Sequence, residues 1–272
     1  MAETKPQNPT FDTLYIRISL GDIAFAVYDV NQKESFHLEH ALVRPNVSLT
    51  VNMKEAISKS SIAQAHYRCV KVLVQSTTTI VPINNFDEKE IETLYHFNFP
   101  ELRHINVFYD TLPYLNAVLL FSLDQYVCQL LEETYPGIFY TSTVTPVLLH
   151  FAEQGRSDNA CRLFSYLHKS WMDVFAFKNG KLIMSNSYIT KSVEDTVYYL
   201  LYTAKLMEID QLEDELFLTG MLRERQRLLE RLREYIPNTF FVNPVAEYTR
   251  HPLTLQEHIP YDLMTFMIQS HT

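Results

Sequence analysis

The densest group of side chains that could do chemistry in this sequence is a run of five arginines in its C-terminal third. The run consists of Arg223, Arg225, Arg227, Arg231 and Arg233. Guanidinium groups at this density can bind phosphate groups or RNA. Glutamates interleave with them, however, and Arg227 and Glu230 have the i, i+3 spacing of ordinary ion pairs on a helix surface. The pattern therefore favours a solvated helix face over nucleic-acid binding.

Candidate metal ligands and nucleophiles occur elsewhere but lack the required spacing. His37 and His40 are three residues apart on a predicted strand, which directs them to opposite faces. The acidic stretch 208–215 lacks the glycine turn and the ligand spacing of a calcium loop. Ser60 and Ser61 lie outside any G-x-S-x-G context. The residues alone thus predict no catalytic group and no metal site.

The composition argues against several classes of protein. The 272 residues carry a net charge of −9, which disfavours nucleic acid or an anionic membrane surface as the main partner. The three cysteines, Cys69, Cys128 and Cys161, form no CxxC pair, so we expect neither a disulfide framework nor a zinc site. Five glycines are few for a protein that wraps its backbone around phosphates.

The beginning of the sequence gives an expectation about location. The segment MAETKPQNPT lacks the basic and apolar regions of a secretory signal. No stretch of the sequence approaches the roughly 18 apolar residues of a membrane span. We therefore expect a cytoplasmic protein without a membrane span, in which residues 1–10 are disordered.

The elements that must position these side chains begin with a three-stranded unit. TLYIRISL alternates apolar residues on one face, and Gly21-Asp22 predicts a tight turn into a second strand, IAFAVYD. SFHLEHALV predicts the third strand of the unit.

Helices and strands then alternate. The sequence predicts a helix from Met53, a second helix opened by the D-x-x-E spacing of Asp87 and Glu90, and a third capped by Ser122. Pro146 suits the first turn of a fourth helix.

The opening pattern returns in the second half of the chain. RLFSYLHK and WMDVFAFK predict two strands, and Asn179-Gly180 is a strong signal for a hairpin turn into KLIMSNSY. Ser192 predicts the cap of a helix that runs to Met207, and DELFLTG predicts a short strand. MLRERQRLLERLREYI predicts an amphipathic helix.

Superposing Phe25 on Phe175 places the two three-strand units about 150 residues apart. This spacing predicts an α/β protein with two duplicated lobes, residues 11–155 and 156–272, each opening with a three-stranded antiparallel unit. The sequence identity between the halves is low, and a chance similarity is the alternative.

These segments resemble a known superfold and, within it, a known family. Lobes that begin with this three-strand unit are typical of the duplicated, two-lobed actin-like ATPase fold, which is ribonuclease H-like and holds a nucleotide between its lobes. The order LYIRISLGDIAFAVYD, VFAFKNGKLIMSNSY and ELFLTGMLRERQRLLERLREYI is similar to a Bacteroidetes family, classed as a domain of unknown function, that has this fold. The resemblance covers nearly the whole chain.

The resemblance implies where a nucleotide would bind. In active members of the superfold, the first strand turn of each lobe carries an acid-x-Gly pair. The carboxylate organises magnesium or the attacking water, and the glycine admits phosphate. In the second lobe these two positions fall at Tyr166 and His168, and neither residue can take that role.

In the first lobe the same positions fall at Arg17 and Ser19, or at Ser19 and Gly21 if the turn is shorter. Asp22 is the only acid there, and it is out of register. Fast hydrolysis is not expected, because losing both carboxylates removes several kcal/mol of transition-state stabilisation.

The loop that packs on adenosine in the superfold reads Gly-Gly after a short strand. Here it reads Thr219-Gly220-Met221, and a methionine would crowd the ribose. The candidate positions in a degenerate nucleotide cleft are therefore Ser19, Gly21, Asp22, Tyr166, His168, Thr219 and Gly220.

We therefore expect a non-catalytic actin-like protein, without cofactor or metal, that acts by protein–protein binding or self-association. The alternative is a divergent ATPase or kinase-like phosphotransferase that binds ATP and Mg²⁺ in the interlobe cleft. The apolar cluster at 263–268 either packs on its own lobe or docks on a second subunit.

Overall fold

The computed structural model describes residues 12–29, 36–155, 160–221 and 224–271. The predicted disordered segment 1–10 lies outside these residues.

The described residues form two compact units. Unit 1 comprises the described residues up to Leu112, the segment Asn116–Thr145 and the segment that starts at Gln269. Unit 2 comprises the described residues of Pro113–Leu115 and Pro146–Ile268.

Thirteen strands, eight α-helices and four short 3-10 helices make up the secondary structure of the described residues. The strands are β1 (Thr13–Ile18), β2 (Asp22–Tyr28), β3 (Phe36–Leu42), β4 (Cys69–Val74), β5 (Thr79–Pro82), β6 (Ile105–Leu112), β7 (Ala117–Asp124), β8 (Ile138–Ser142), β9 (Cys161–Leu167), β10 (Trp171–Lys178), β11 (Lys181–Ile189), β12 (Glu215–Gly220) and β13 (Thr239–Phe241). The helices are α1 (Leu49–Lys59), α2 (Ile91–Asn98), α3 (Gln125–Thr134), α4 (Val144–Gln154), α5 (Val193–Leu206), α6 (Arg225–Arg233), α7 (Pro244–Glu247) and α8 (Tyr261–Gln269).

The main sheet of unit 1 has the strand order β3-β2-β1-β4-β8. β1, β2 and β3 form an antiparallel meander, and β4 and β8 continue the sheet parallel to β1. The apolar alternation in β1 predicts one buried face, and the structure buries the other as well, including Tyr15 and Arg17. β1 is therefore a central strand covered on both sides.

Unit 1 also contains a three-stranded sheet, β5-β7-β6. Its core forms around Tyr95 of α2 and around Val118 and Leu120 of β7. The sequence does not predict β5, because four residues ending in Pro82 are too short to show a period.

The sheet of unit 2 has the order β11-β10-β9-β12-β13. β9, β10 and β11 are antiparallel, and β12 and β13 continue parallel to β9. This is the strand arrangement of the main sheet of unit 1. The predicted duplication of the three-strand unit, in two separate units, is confirmed.

Helices cover both faces of the unit 2 sheet. α5 and α6 pack on one face, where Leu200 and Leu232 join the buried residues of β9, β10 and β12. On the other face, Phe151 of α4 stacks on Phe164, and α8 contributes Tyr261. Four apolar residues of the tail cluster, Leu263, Met264, Met267 and Ile268, are buried, and Phe266 is partly buried.

Two local signals are confirmed. Ser192 and Asp195 form a reciprocal capping box at the start of α5. Asn179 and Gly180 have φ values of 53° and 70°, the left-handed conformation that a two-residue type I′ turn requires.

Two predicted helix starts are wrong. α1 begins at Leu49 behind a Ser48 cap, not at Met53. α3 is capped by Asp124, whose side chain accepts from the amides of Tyr126 and Val127. Ser122 does not cap it, because Ser122 is paired within β7. Both Ser and Asp favour N-cap positions, so the residue types alone do not separate them.

The capping box predicted at Asp87 is absent. Its side chain accepts from the Lys89 amide and opens a 3-10 turn over Glu88–Glu90, after which α2 starts at Ile91. Pro146 lies in the first turn of α4, as predicted. The two units divide next to it, between residues 145 and 146, whereas the sequence places the boundary between residues 155 and 156.

Candidate functional site

The first strand turn of unit 1 is closed by Ser19. The Ser19 amide donates to the Asp22 carbonyl oxygen at 2.9 Å, and the Ser19 hydroxyl donates to the same oxygen at 2.8 Å. The Asp22 amide in turn donates to the Ser19 hydroxyl oxygen at 3.1 Å. The hydroxyl is thus used to hold the turn.

The only carboxylate in this turn is also engaged. Asp22 Oδ2 lies 2.8 Å from Nδ1 of His40 on β3. Gly21 does not have a positive φ, and no atom lies within 4 Å of a Cβ built on it. The backbone of this turn therefore does not require glycine.

The corresponding turn of unit 2 joins β9 to β10. The His168 amide donates to the Trp171 carbonyl oxygen at 2.8 Å. Leu167 pairs with Met172 on either side of this turn, as Ile18 pairs with Ile23 in unit 1. Each turn therefore spans four residues.

This register relates the turns residue by residue. His168 takes the place of Ser19, and Tyr166 takes the place of Arg17. Asp22 corresponds to Trp171, which is not an acid.

A buried carboxylate that the sequence analysis missed lies behind the second turn. Asp173, opposite Tyr166 on β10, is 4 % exposed. Its Oδ2 lies 2.7 Å from His168 Nε2, and its Oδ1 accepts from the Ser187 hydroxyl at 2.5 Å. An aspartate inside the apolar strand WMDVFAF is the signal that could have found it. Both oxygens have protein partners, so this carboxylate links β10 to β11 and to the turn that follows β9.

The aromatic ring of Tyr166 is buried at the end of β9. Its side chain is 3 % exposed, and its ring packs edge-on against His168 with centroids 4.3 Å apart. The backbone amide of Asp262, in α8, donates to the Tyr166 hydroxyl at 3.4 Å. The helix and the ring together exclude solvent from this end of β9.

Gly220, at the end of β12, lies directly against this ring. It has a φ of 92°, and a Cβ there would lie 2.3 Å from the Leu167 carbonyl oxygen and 2.8 Å from the Tyr166 ring. The Met221 amide donates to the same Leu167 oxygen at 2.7 Å. Thr219 is buried beside Tyr166, its partner in the strand pairing. The missing side chain of Gly220 thus leaves room for the Tyr166 ring and the backbone of the neighbouring strand, and no open space remains there.

The residues of the second turn do not fit a magnesium nucleotide. Tyr166 and His168 supply neither a carboxylate nor the small residue that a phosphate needs. The nearby carboxylate of Asp173 is enclosed by His168 and Ser187. Within the described ranges, no group of three or more His, Cys, Asp or Glu side chains is arranged to hold a metal ion.

The structure brings four of the seven candidate positions together within unit 2. They are Tyr166, His168, Thr219 and Gly220. The other three, Ser19, Gly21 and Asp22, form the first turn of unit 1.

No helix in the described part of the chain is long and apolar enough to cross a membrane.

Comparison with known proteins identifies the fold. The sequence profile of the family described as "Protein of unknown function (DUF3822)" matches residues 2–239. A Bacteroides thetaiotaomicron protein of actin-like ATPase fold and unknown function is 29 % identical, with a TM-score of 0.78 over 90 % of this chain and 96 % of that one. No curated protein sequence matches the chain.

A more distant similarity links the chain to the PilM–PilN type IV pilus biogenesis complex. The identity is 13 %, and the TM-score is 0.61 over 97 % of this chain and 99 % of that one. At this identity the likeness shows the fold alone. Together with the duplicated sheets, these similarities confirm the predicted actin-like ATPase fold.

Proposed function

Because the chain belongs to the DUF3822 family and has the actin-like ATPase fold, we propose that it is a binding protein that does not turn over ATP. The observation that supports this function best is the buried ring of Tyr166. The family resemblance implies an acid at this position in active members of the fold, and the ring is fixed by His168, Gly220 and the start of α8.

ATP turnover is not expected because the groups that would stabilise charge at the reacting phosphate are missing. A metal ion and its carboxylate stabilise the transition state of phosphoryl transfer by several kcal/mol, and neither turn supplies that carboxylate in register. Asp22 is displaced from the required position and is paired with His40.

A protein is the proposed partner. The PilM similarity supports this choice, since that protein was solved in complex with PilN. The net charge of −9 makes nucleic acid an unsuitable partner. The proposed location is the cytoplasm, where the free thiols of Cys69, Cys128 and Cys161 stay reduced.

The test is thermal unfolding with and without magnesium ATP. A functional site with a Kd near about 50 μM would stabilise the native state by about 2.7 kcal/mol at about 5 mM ATP. For a chain of this size, that gain would raise Tm by about 5 °C or more. We expect a shift below about 1 °C and no magnesium-dependent phosphate release.

Variants distinguish the proposed binding protein from the enzyme alternative. Tyr166→Asp combined with His168→Gly should not create phosphate release, because the first turn still lacks its acid. The enzyme alternative is favoured instead if the natural protein releases phosphate with magnesium and Asp22→Asn abolishes this activity. Glu101→Gln, an exposed carboxylate elsewhere in unit 1, is the control and should retain the activity in that case.

A further inference from the structure

β11 is the longest strand of the described residues and forms one edge of the unit 2 sheet. Only β10 pairs with it among the described strands. An edge strand presents backbone N–H and C=O groups that can pair with another extended segment. Proteins usually protect such edges with short strands, prolines or charges along the strand.

The available edge is the second part of β11. A bulge at Ile183 interrupts the pairing with β10, after which Met184 to Ile189 pair without a break. This stretch contains no proline and no charged residue, and its side chains at Ser185, Asn186 and Ser187 are small or polar. About six residues of edge are therefore regular enough to accept a strand.

Charge along β11 has one sign, although Glu194 and Asp195 follow shortly after it. From Val174 to Val193 the sequence contains lysines but no Asp or Glu, although the whole chain is acidic. Lys178 and Lys181 face each other across the hairpin turn at one end of β11, and Lys191 follows its other end. All three lysines are exposed. The edge thus offers positive charge at its hairpin end, whereas at its other end Lys191 lies beside Asp195, whose carboxylate accepts from the Lys191 amide at 2.8 Å.

An aromatic surface continues from β11 onto α5. Tyr188 stacks on Tyr199 with centroids 4.7 Å apart, and Tyr198 meets Tyr199 edge-on at 5.1 Å. Tyr198 and Tyr202, one helical turn apart, are 63 % and 49 % exposed. Exposed tyrosines in a row are enriched at binding surfaces.

The other long edge of the same type lacks these features. β3, the counterpart of β11 in unit 1, carries Glu39 at its centre, and its side chain accepts from the Ser61 hydroxyl at 2.7 Å. β13, the opposite edge of the unit 2 sheet, has three residues. The combination of length, a positive hairpin end and a tyrosine row occurs at β11.

We propose that the edge of β11 binds an extended, acidic segment of a partner protein as an added strand. The backbone of Met184–Ile189 pairs with the segment, and Lys178 and Lys181 face its carboxylates. The apolar side chains on one face of the segment lie toward Tyr198 and Tyr202. This inference rests on the proposed binding function and names the chemistry of its partner.

The test uses three fluorescein-labelled peptides of eight residues. One alternates valine with glutamate, one alternates valine with lysine, and one is the glutamate peptide with alternate amides N-methylated. We expect the glutamate peptide to bind, and the other two to bind at least about tenfold more weakly in fluorescence anisotropy, because one reverses the charge and the other removes backbone donors. Within Met184–Ile189, the alternate amides directed away from β10 should gain protection from hydrogen exchange when the glutamate peptide is present.

A matched pair of variants locates the site. Lys181→Glu should weaken binding by about fivefold or more, because it reverses a charge beside the edge. Lys54→Glu makes the same charge change at an exposed position of α1 in unit 1 and should leave the affinity within about twofold. Tyr198→Ser should also weaken binding.

Several results would overturn the inference. They are equal affinity for the glutamate and lysine peptides, unchanged affinity in Lys181→Glu, or equal losses in both lysine variants. Self-association that Lys181→Glu abolishes, without peptide binding, would instead assign the edge to a second copy. Magnesium-dependent ATP turnover would refute the proposed function whatever the peptides do. Absent peptide binding without an ATP response would refute only the β11 inference.

Discussion

Gly180 and Gly21 occupy turns of the two three-strand units, but their backbones differ. Gly180 has a φ of 70°, whereas Gly21 does not have a positive φ and has space for a Cβ. Gly180→Ala should therefore lower the free energy of unfolding by about 1 kcal/mol through backbone strain. Gly21→Ala should change it by less than about 0.5 kcal/mol, or stabilise slightly. Urea unfolding of both variants checks this, and equal losses would contradict the turn geometry.

Asp110 of β6 should make the stability of the protein depend on pH. Its Oδ2 accepts from the Ser142 amide at 2.8 Å and from the Thr145 hydroxyl at 2.5 Å. Burial raises the pKa of Asp110 from 3.8 to about 6, although these hydrogen bonds act in the opposite direction. The protonated form is thus favoured in the native state. Its stabilising contribution is complete below about pH 4 and is lost as pH rises through about 6.

Asp110→Asn keeps an acceptor oxygen for both donors but cannot ionise. Between pH 4 and pH 7, natural protein should therefore lose about 1–3 kcal/mol of stability relative to this variant. Urea unfolding at both pH values measures the difference. Asp195→Asn is a control of opposite sign, since hydrogen bonds led by the Lys191 amide lower the pKa of Asp195. That substitution should cost more at pH 7 than at pH 4.

The identities of the residues at the second turn could be assigned from the sequence, but their contacts could not. Counting from Asn179-Gly180 locates Tyr166 and His168, because hairpin register fixes which residues face each other. The enclosure of Asp173 depends on Ser187, which is brought near by the folding of a separate strand. Such partners leave no spacing signal in the sequence.

At the scale of elements, the capping box of α5 allows a direct test. The Ser192 hydroxyl accepts from the Asp195 amide at 3.1 Å, and Asp195 Oδ2 accepts from the Ser192 amide at 3.1 Å. Ser192→Ala should lower the free energy of unfolding by about 1 kcal/mol, because it leaves a helix amide without its partner. Ser58→Ala changes an exposed serine in the last turn of α1, where no helix amide needs a cap, and should have a smaller effect. Chemical denaturation of both variants decides, and equal effects would contradict the box.

Elements with a strong local signal were predicted correctly, and those stabilised by tertiary pairing were not. The two meanders, the Asn179-Gly180 turn and α5 follow from alternation, turn residues and caps. β13 has three residues and exists through its pairing with β12. Four-residue β5 likewise depends on β7.

At the scale of the whole molecule, the three thiols should report on the units separately. Cys128 and Cys161 are buried, and burial raises their pKa to about 12 and about 11, whereas Cys69 is partly exposed. We expect Cys69 to react first with a thiol reagent in the native protein, and all three to react in denaturant. Cys128→Ala and Cys161→Ala assign the slow phases to unit 1 and unit 2. A native Cys128 that reacts as fast as Cys69 would contradict the burial.

The fold of the molecule could be predicted because the chain repeats one topology, and each copy supports the interpretation of the other. The division into units could not be placed from sequence, since it falls inside α4 without a glycine, proline-rich or polar linker. The absence of a local signal also explains why the sequence places the segment that starts at Gln269 in the second lobe, whereas the structure assigns it to unit 1.

The contact between β1 and the segment that starts at Gln269 affects the order in which unit 1 folds during translation. Tyr15 of β1 shares a hydrogen bond of 3.2 Å with His271, across a separation of 256 residues. At about 5–20 residues per second, translation of that interval takes roughly 10–50 s. The nascent β1 and β2 therefore leave the ribosome long before this partner exists. Formation of this hydrogen bond is therefore a late event in the folding of unit 1, because β1 and β2 can pair with each other before His271 is added.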